Sequence, residues 1–458
     1  MISATTSSRS LLNNVYRVGH YLLTAWIPPM ISDLGHWAWG RRWRRRLALA
    51  AMLMVMGAAL IWLVLWWQAG QQRARAQQAV AEAGAPTTLA QIPVPALTRS
   101  ENGATFLRAA LAAVARPRRG FYVLDGSADS FSHLQDAALS DAWDDVSGAD
   151  KAEALAGLEQ PQWMVAWELV HRAALTRGIA FPPVGPDEPS MLMSLLPLHR
   201  RAQLHVRLLA DAQRLSEART HLHDLVRLDA ITTPTPDLVS LLGWWSALSS
   251  DLTLLKYLAL AGQLDAASAQ ILEHELAILW PWQESLVNAC DGERIGMSSL
   301  FAGLARGEPF PHPPGTPAEG NVPFPLEAVS AGLYRIFYAS RLGGPWRDRD
   351  WARSLSASLA IRHALITSPL TLDPSISSDW SFLVRNRQRM DRQVIQTRCA
   401  LALVQHRLAA GSYPQDLSEL GREFPAWLRY TRNATGAILE ADEDDKSQRK
   451  QLTWRFTR

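Results

Sequence analysis

Apolar positions change their spacing along this chain, and the changes predict its elements. Residues 47–67, LALAAMLMVMGAALIWLVLWW, run 21 positions without a charge and without the polar face that an amphipathic surface helix keeps. At ~1.5 Å per residue the run reaches roughly 31 Å, which matches a bilayer core of about 30 Å and reads as a transmembrane helix. Upstream, Leu12, Val15, Tyr16, Tyr21, Leu22, Trp26, Ile27 and Met30 recur at roughly helical spacing, with Pro28-Pro29 and Gly35 interrupting. That pattern fits either a helix in the membrane interface or a partly ordered tail.

Residues 68–99 are Ala/Gln-rich and then proline-punctuated, and they read as a helix leaving the membrane followed by a linker. From about residue 100 a helical period takes over. Helices are predicted over 102–114, over 161–176 with Pro161 in the first turn, over the long amphipathic stretch 195–228, and from Pro236-Asp237 to Leu260. Two short segments, Ala212 to Ala218 (AQRLSEA) and Ala261 to Ala267 (AGQLDAA), carry the small residues of turns between antiparallel helices. They are offset by 49 residues, which is not the period of a tetratricopeptide array, and a third copy is missing. Further helices are predicted over 282–304, 326–340, 346–366 and 385–410, with Gly411 as the last stop. Between the first two lies 307–325, a loop holding seven prolines. The period then shortens to two: 427–431, 436–440 and 451–457 read as strands of a small meander, with the acidic run 440–445 as a solvated turn. The predicted fold is therefore mainly α: a basic segment 1–46, one transmembrane helix 47–67, a linker 68–99, a helical-hairpin body 100–410 and a small C-terminal tail 411–458 with a β-meander.

Charge sharpens the topology. The chain is net +3, but seven of its 46 basic residues and one of its 43 acidic residues precede Leu47, leaving 39 against 42 afterwards. The body is slightly acidic, so nucleic-acid binding loses its electrostatic basis. Arg41, Arg42, Arg44, Arg45 and Arg46 flank one end of the apolar run, while the other end opens on neutral Gln68. The positive-inside rule then predicts a cytoplasmic N-terminus and a periplasmic or extracytoplasmic body on a single-pass inner-membrane protein. A cleavable signal peptide with Ala74-Arg75-Ala76 at its site is the competing reading, but its apolar region is too long and a 46-residue lead-in is unusual, so an uncleaved signal anchor is expected.

Candidate chemistry is sparse. His221, His223 and Asp224 form the densest titratable group, yet i and i+2 on a helix face different ways, so only one histidine can reach a given site and a solvated helix is the competing reading. His199 and His205, six apart, again do not share a face. Glu293 and Arg294 follow Cys290 and Asp291 beside the proline-rich loop and are candidates for ligand binding, against a structural ion pair. Trp244-Trp245 and Trp280-Pro281-Trp282 are candidate stacking platforms, against ordinary packing. No His-Glu-x-x-His, phosphate loop or Gly-x-Ser-x-Gly elbow occurs, so neither metal nor cofactor is expected. Two cysteines, Cys290 and Cys399, exclude a disulfide-rich scaffold and a four-cysteine zinc site, and both are expected to be buried or bridged to each other.

Cys399 to Leu420, CALALVQHRLAAGSYPQDLSEL, resembles a recurring ending of large membrane-anchored helical envelope proteins of planctomycetes and related bacteria: a helix closed by Gly, a Tyr-Pro pair, and a Leu-x-x-Leu turn into a β-meander. Residues 195–279, around Arg207-Leu208-Leu209-Ala210, look like the middle of the same proteins, and Gly292-Glu293-Arg294 falls where many carry that triplet. The ending is also similar to the tail of type II secretion pseudopilins, but the Asp-Pro and Gly-rich calcium-type loop of that family is missing, as is a pilin leader. The resemblance implies envelope location and a helical body, and it brings no activity with it. On these grounds the body is expected to be a scaffold or protein-interaction module with the lipid bilayer and envelope proteins as partners. The alternative is an envelope enzyme or ligand-binding protein with a groove near 307–325.

Overall fold

The computed structural model describes residues 41–118, 121–124, 132–181, 191–279, 283–306, 340, 343–367, 381–434, 436–441 and 453–457. The expected interfacial segment, the proline-rich loop 307–325, the helix over 326–340 and the Trp280-Pro281-Trp282 platform lie outside them.

Residues 1–68 and 69–458 form two compact units. In the first, helix α1 (Arg41–Glu82) presents its apolar run uncovered, with none of that window buried. Leu49, Met54, Val55 and Trp67 are all exposed. α1 continues into the second unit up to Glu82. Gly84 ends it in the left-handed region (φ 59°), donating to Ala81 O at 3.0 Å, while Ala85 N reaches Val80 O at 3.1 Å.

The expected helix beyond the apolar run is present to Glu82, and residues between 76 and 85 pack into the body. Ala69, Arg73, Ala76 and Val80 recur at i, i+4, i+7 and i+11, one stripe of the helix. Ala76 and Val80 enter a small second core with Ala85, Phe301, Leu304, Trp351, Ala352 and Leu355. Arg73 pairs with Asp348 at 2.9 Å and lies over the Trp351 ring.

The body follows the helical period closely. After α1 come α2 (Ala104–Val114), the hairpin β1 (Ala115–Arg118) and β2 (Phe121–Leu124), then α3 (Ser132–Ala138), α4 (Gly148–Leu158) and α5 (Pro161–Ala174). The central layer is α6 (Met191–Asp211), α7 (Leu215–Ile231), α8 (Leu238–Leu260) and α9 (Ala266–Leu279), followed by α10 (Gln283–Arg306), α11 (Gly344–Thr367) and α12 (Ser381–Ala410). Two-residue strands β3 (Ile179–Ala180) and β4 (Thr232–Thr233) pair in parallel, which sequence patterning did not reveal. β5 (Leu428–Asn433), β6 (Gly436–Ala441) and β7 (Thr453–Thr457) form the expected antiparallel meander with β6 in the middle. Its alternating Leu439, Trp454 and Phe456 point into the same core as the helices.

Both expected turns join antiparallel helices, and by the same hydrogen bonds. Gln213 N donates to Ala210 O and Arg214 N to Leu209 O; 49 residues on, Gly262 N donates to Ala259 O and Gln263 N to Leu258 O. Each turn places one residue at positive φ, Gln213 at 61° and Gly262 at 68°. The two hairpins, α6–α7 and α8–α9, are stitched together by Arg219, which donates from Nε to Gln263 O at 2.8 Å and pairs with Asp265. Among the described residues α8 is the second helix long and apolar enough to cross a membrane, but 56% of its apolar window is buried by the body.

Candidate functional site

The helical stripes that build the core carry three misfits. On α6, His199 stands in phase with Leu192, Leu195, Ala202 and Val206; on α7, Asp229 with Leu222, Leu225 and Val226; on α8, Asp251 with Trp244, Leu248, Leu255 and Leu258. Helical phase therefore forces all three polar side chains inward, and the packing of α6, α7 and α8 brings them together. Their ligand atoms lie within 4.8 Å of one another. His199 Nε2 is 3.0 Å from Asp251 Oδ2, and Gln203, one turn on from His199, donates to Asp251 Oδ1 at 2.6 Å. Asp251 is fully buried and Asp229 is 4% exposed. Burial first, then the charge of Asp251 and a hydrogen bond to it, hold the Asp229 carboxyl well above the usual range. Asp229 Oδ2 has no hydrogen-bond partner, an expensive state for a buried carboxylate oxygen. The Trp244 indole donates to the Asp229 carbonyl at 3.2 Å and so fixes α8 against α7 at this level.

A cavity of ≈ 50 Å³ opens against this cluster. Leu107, Val170, Leu195, Leu225, Leu228 and Ala247 supply apolar wall, and His199 and Asp229 supply the polar end. At about 10–15 Å³ per water-sized group it holds a few such groups or the tip of a longer chain. An apolar pocket with a few convergent polar groups is the usual form of a small-molecule site.

Apart from His199, the sequence-derived candidates fall elsewhere. Gly292-Glu293-Arg294 is a structural clasp in which three successive residues serve three segments. A Cβ on Gly292 would sit 1.5 Å from Pro236 O, so only glycine admits the loop before α8. Glu293 Oε1 accepts the Leu238 N–H at 3.0 Å, satisfying an open donor in the first turn of α8, whose N-cap is Asp237. Burial raises the Glu293 carboxyl above its ordinary range. Arg294, buried, donates to Pro86 O at 2.5 Å and to Asp291 Oδ1 at 2.8 Å, and Asp291 also receives Arg362 at 3.0 Å. Neither side chain faces the cavity lining.

His221 and His223 do point to different faces, but neither face is the solvated one of the competing reading. The His221 ring is 5.1 Å from His205 and edge-on to Trp167 at 6.4 Å, while Trp167 stacks on both His205 and Trp163. His223 turns toward α9 and the Ser268 backbone. Burial pushes both below the ordinary histidine range, and His205, with neither ring nitrogen hydrogen-bonded, falls to about 3. Asp224 accepts from His171 Nδ1 at 2.9 Å.

Cys290 and Cys399 are both buried free thiols on α10 and α12, so the bridge is not formed; burial pushes each up to about 12, far from reactive thiolate. Trp244 and Trp245 are buried packing residues, not a platform.

The acidic members of the cluster escaped sequence reading because a search for neighbouring titratable residues cannot join positions 199, 229 and 251. A usable signal was present: a carboxylate in phase with an otherwise apolar helical stripe. Comparison with family models, curated proteins and solved structures returned no match to this chain.

Proposed function

We propose that the chain is a single-pass, membrane-anchored envelope protein whose helical body binds a small, largely apolar molecule. The observation that carries the binding reading is the cavity whose apolar walls end on buried His199 and Asp229. Such a ligand places an apolar end against Leu225 and Leu228 and a polar end at the acid cluster. The anchoring reading rests on the uncovered apolar run of α1, and the direction of insertion on the arginines at 41–46 against neutral Gln68.

The binding test uses the full chain in detergent with a solvatochromic apolar dye. Saturable dye binding is expected, and Ala247→Phe, which fills the cavity, abolishes it while circular dichroism stays unchanged. Equal binding by the filled variant sinks the reading. For topology, an export-dependent phosphatase fused after Gly84 is active; an inactive phosphatase with a fluorescent cytoplasmic reporter at the same position reverses the orientation.

A second reading, a protein-interaction scaffold, draws support from the stitched hairpins α6–α7 and α8–α9 and from Ile271 and Ile278, exposed seven residues apart on α9. A photo-cross-linker at either position then yields one reproducible protein adduct in native envelopes. Absence of any adduct at both removes this reading.

A further inference from the structure

We infer that His199, Asp229 and Asp251 form a binding site for a divalent first-row metal ion at the wall of the α6–α7–α8 cavity. The inference shares its pocket with the function proposed above but does not need the apolar ligand.

Geometry comes first. Donors bound to one ion at ~2.1 Å stand about 3.0 Å apart along an octahedral edge and about 4.2 Å apart across it. The His199 Nε2 to Asp251 Oδ2 separation is 3.0 Å, and the whole set lies within 4.8 Å, so shifts of a few tenths of an ångström complete the site. The three donors come from three different helices, each locked by its own stripe of core residues, which is how rigid metal sites in helical bundles are built.

The second observation is independent of the cluster's acidity. Asp229 lines the cavity, and while its carboxyl also hydrogen-bonds Asp251, its buried Oδ2 has no hydrogen-bond partner and so keeps a lone pair for a further ligand. Gln203 meanwhile behaves as an orienting neighbour: its amide donates to the Asp251 oxygen that His199 does not meet, holding Asp251 Oδ2 toward the centre.

Charge then selects the ion class. His199 is the ion-pair partner of Asp251, and the charge facing Asp229 is that of Asp251 itself. Two carboxylates and a neutral imidazole balance a 2+ ion, and the donor set of one nitrogen and carboxylate oxygens, without thiolate, suits zinc, cobalt, manganese or iron(II). Three protein donors leave further coordination positions facing the cavity, open to water or to the polar end of a ligand.

The test takes the full chain, purified without a histidine tag and stripped with chelator, and titrates Zn²⁺ calorimetrically and Co²⁺ by visible absorption. One ion per chain is expected, with a rise in melting temperature. Asp229→Asn and Asp251→Asn each weaken binding by about 100-fold or more and lose that rise, while His223→Gln, on the other face of α7, binds as the native chain does. Should an Asn variant fail to fold, X-ray absorption on the zinc-loaded native chain still decides: a nitrogen/oxygen shell with one imidazole is expected, and a sulfur shell overturns the site. Failure to bind up to millimolar metal, or equal binding by native chain and both Asn variants, also overturns it. Dye binding measured alongside separates the two proposals. Dye without metal leaves the apolar-ligand reading standing alone, and metal without dye leaves the metal site alone.

Discussion

Among the described residues two helices are long and apolar enough to cross a membrane, α1 and α8, and they differ in burial and in polar content. The apolar window of α1 is wholly uncovered and free of charge from 47 to 67, whereas α8 is more than half enclosed and carries Ser240, Asp251 and Lys256. Asp251 is fully buried and paired, a polar group the body has built a partner for, with His199 and Gln203 converging on it. Burial of Lys256 lowers its ammonium to about 8. Lipid offers no such partners, so a lipid-facing helix must be apolar all round, while a core helix keeps polar inlays wherever neighbours answer them.

A charge placed in each helix breaks the comparison most sharply. Leu248, with no exposed surface at the centre of α8, lies in the hydrophobic core; Leu248→Arg is expected to cost on the order of 5 kcal/mol and to unfold the body, read as loss of the helical melting transition. Leu60→Arg in α1 leaves that transition unchanged and instead costs about 3 kcal/mol of membrane insertion, read as a larger carbonate-extractable fraction. If the two substitutions have the same effect, the distinction between the helices is wrong.

Acid separates the regions next, because 47–67 contains nothing to titrate. His205, beside His221, Arg214 and Glu217, has a folded value of about 3 against ~6.5 unfolded. The unfolded chain takes the proton first, so this stability is present above pH 6.5 and is lost as pH falls toward 3, roughly 5 kcal/mol at the full shift. His205→Phe flattens the slope of denaturation midpoint against pH in that window; an unchanged slope assigns the sensitivity elsewhere. Asp391 on α12, 3.6 Å from Arg387, has the opposite sign. Burial raises it to about 7, so the folded chain keeps the proton longer, and stability present below pH 4 is lost as pH rises through 7. Asp391→Asn removes this second slope, by roughly 4 kcal/mol between pH 4 and 8.

The smallest effect concerns the turns that close hairpins α6–α7 and α8–α9. Gly262→Ala forces a Cβ into the left-handed region at φ 68° and costs about 1 kcal/mol, while Gln213→Gly, at the matching position 49 residues earlier, gains up to about 1 kcal/mol. Chemical denaturation of the two variants reads both, and shifts of the same sign would show that the two turns are not equivalent.

Sequence alone determined much that is set by local period and local chemistry, though not the hairpin β1–β2 or helices α3 and α4. The apolar run of α1, the starts at Pro161 and Asp237, both hairpin turns, the stop at Gly411 and the three-stranded meander were all legible, because each depends on residues within a turn or two of one another. The fate of 76–85 was not: Ala76, Val80 and Ala85 look like part of a linker until α10 and α11 supply the surface they pack on. Nor was the clasp at Gly292-Glu293-Arg294, whose three partners are 55 to 208 residues distant. The acid–histidine cluster shows the division most clearly. Helical phase dictated that His199, Asp229 and Asp251 each point into the core, but which stripes face one another is decided only when three helices pack. Burial of a lone carboxylate is prohibitive, and tertiary structure alone supplied the neighbours that make it tolerable.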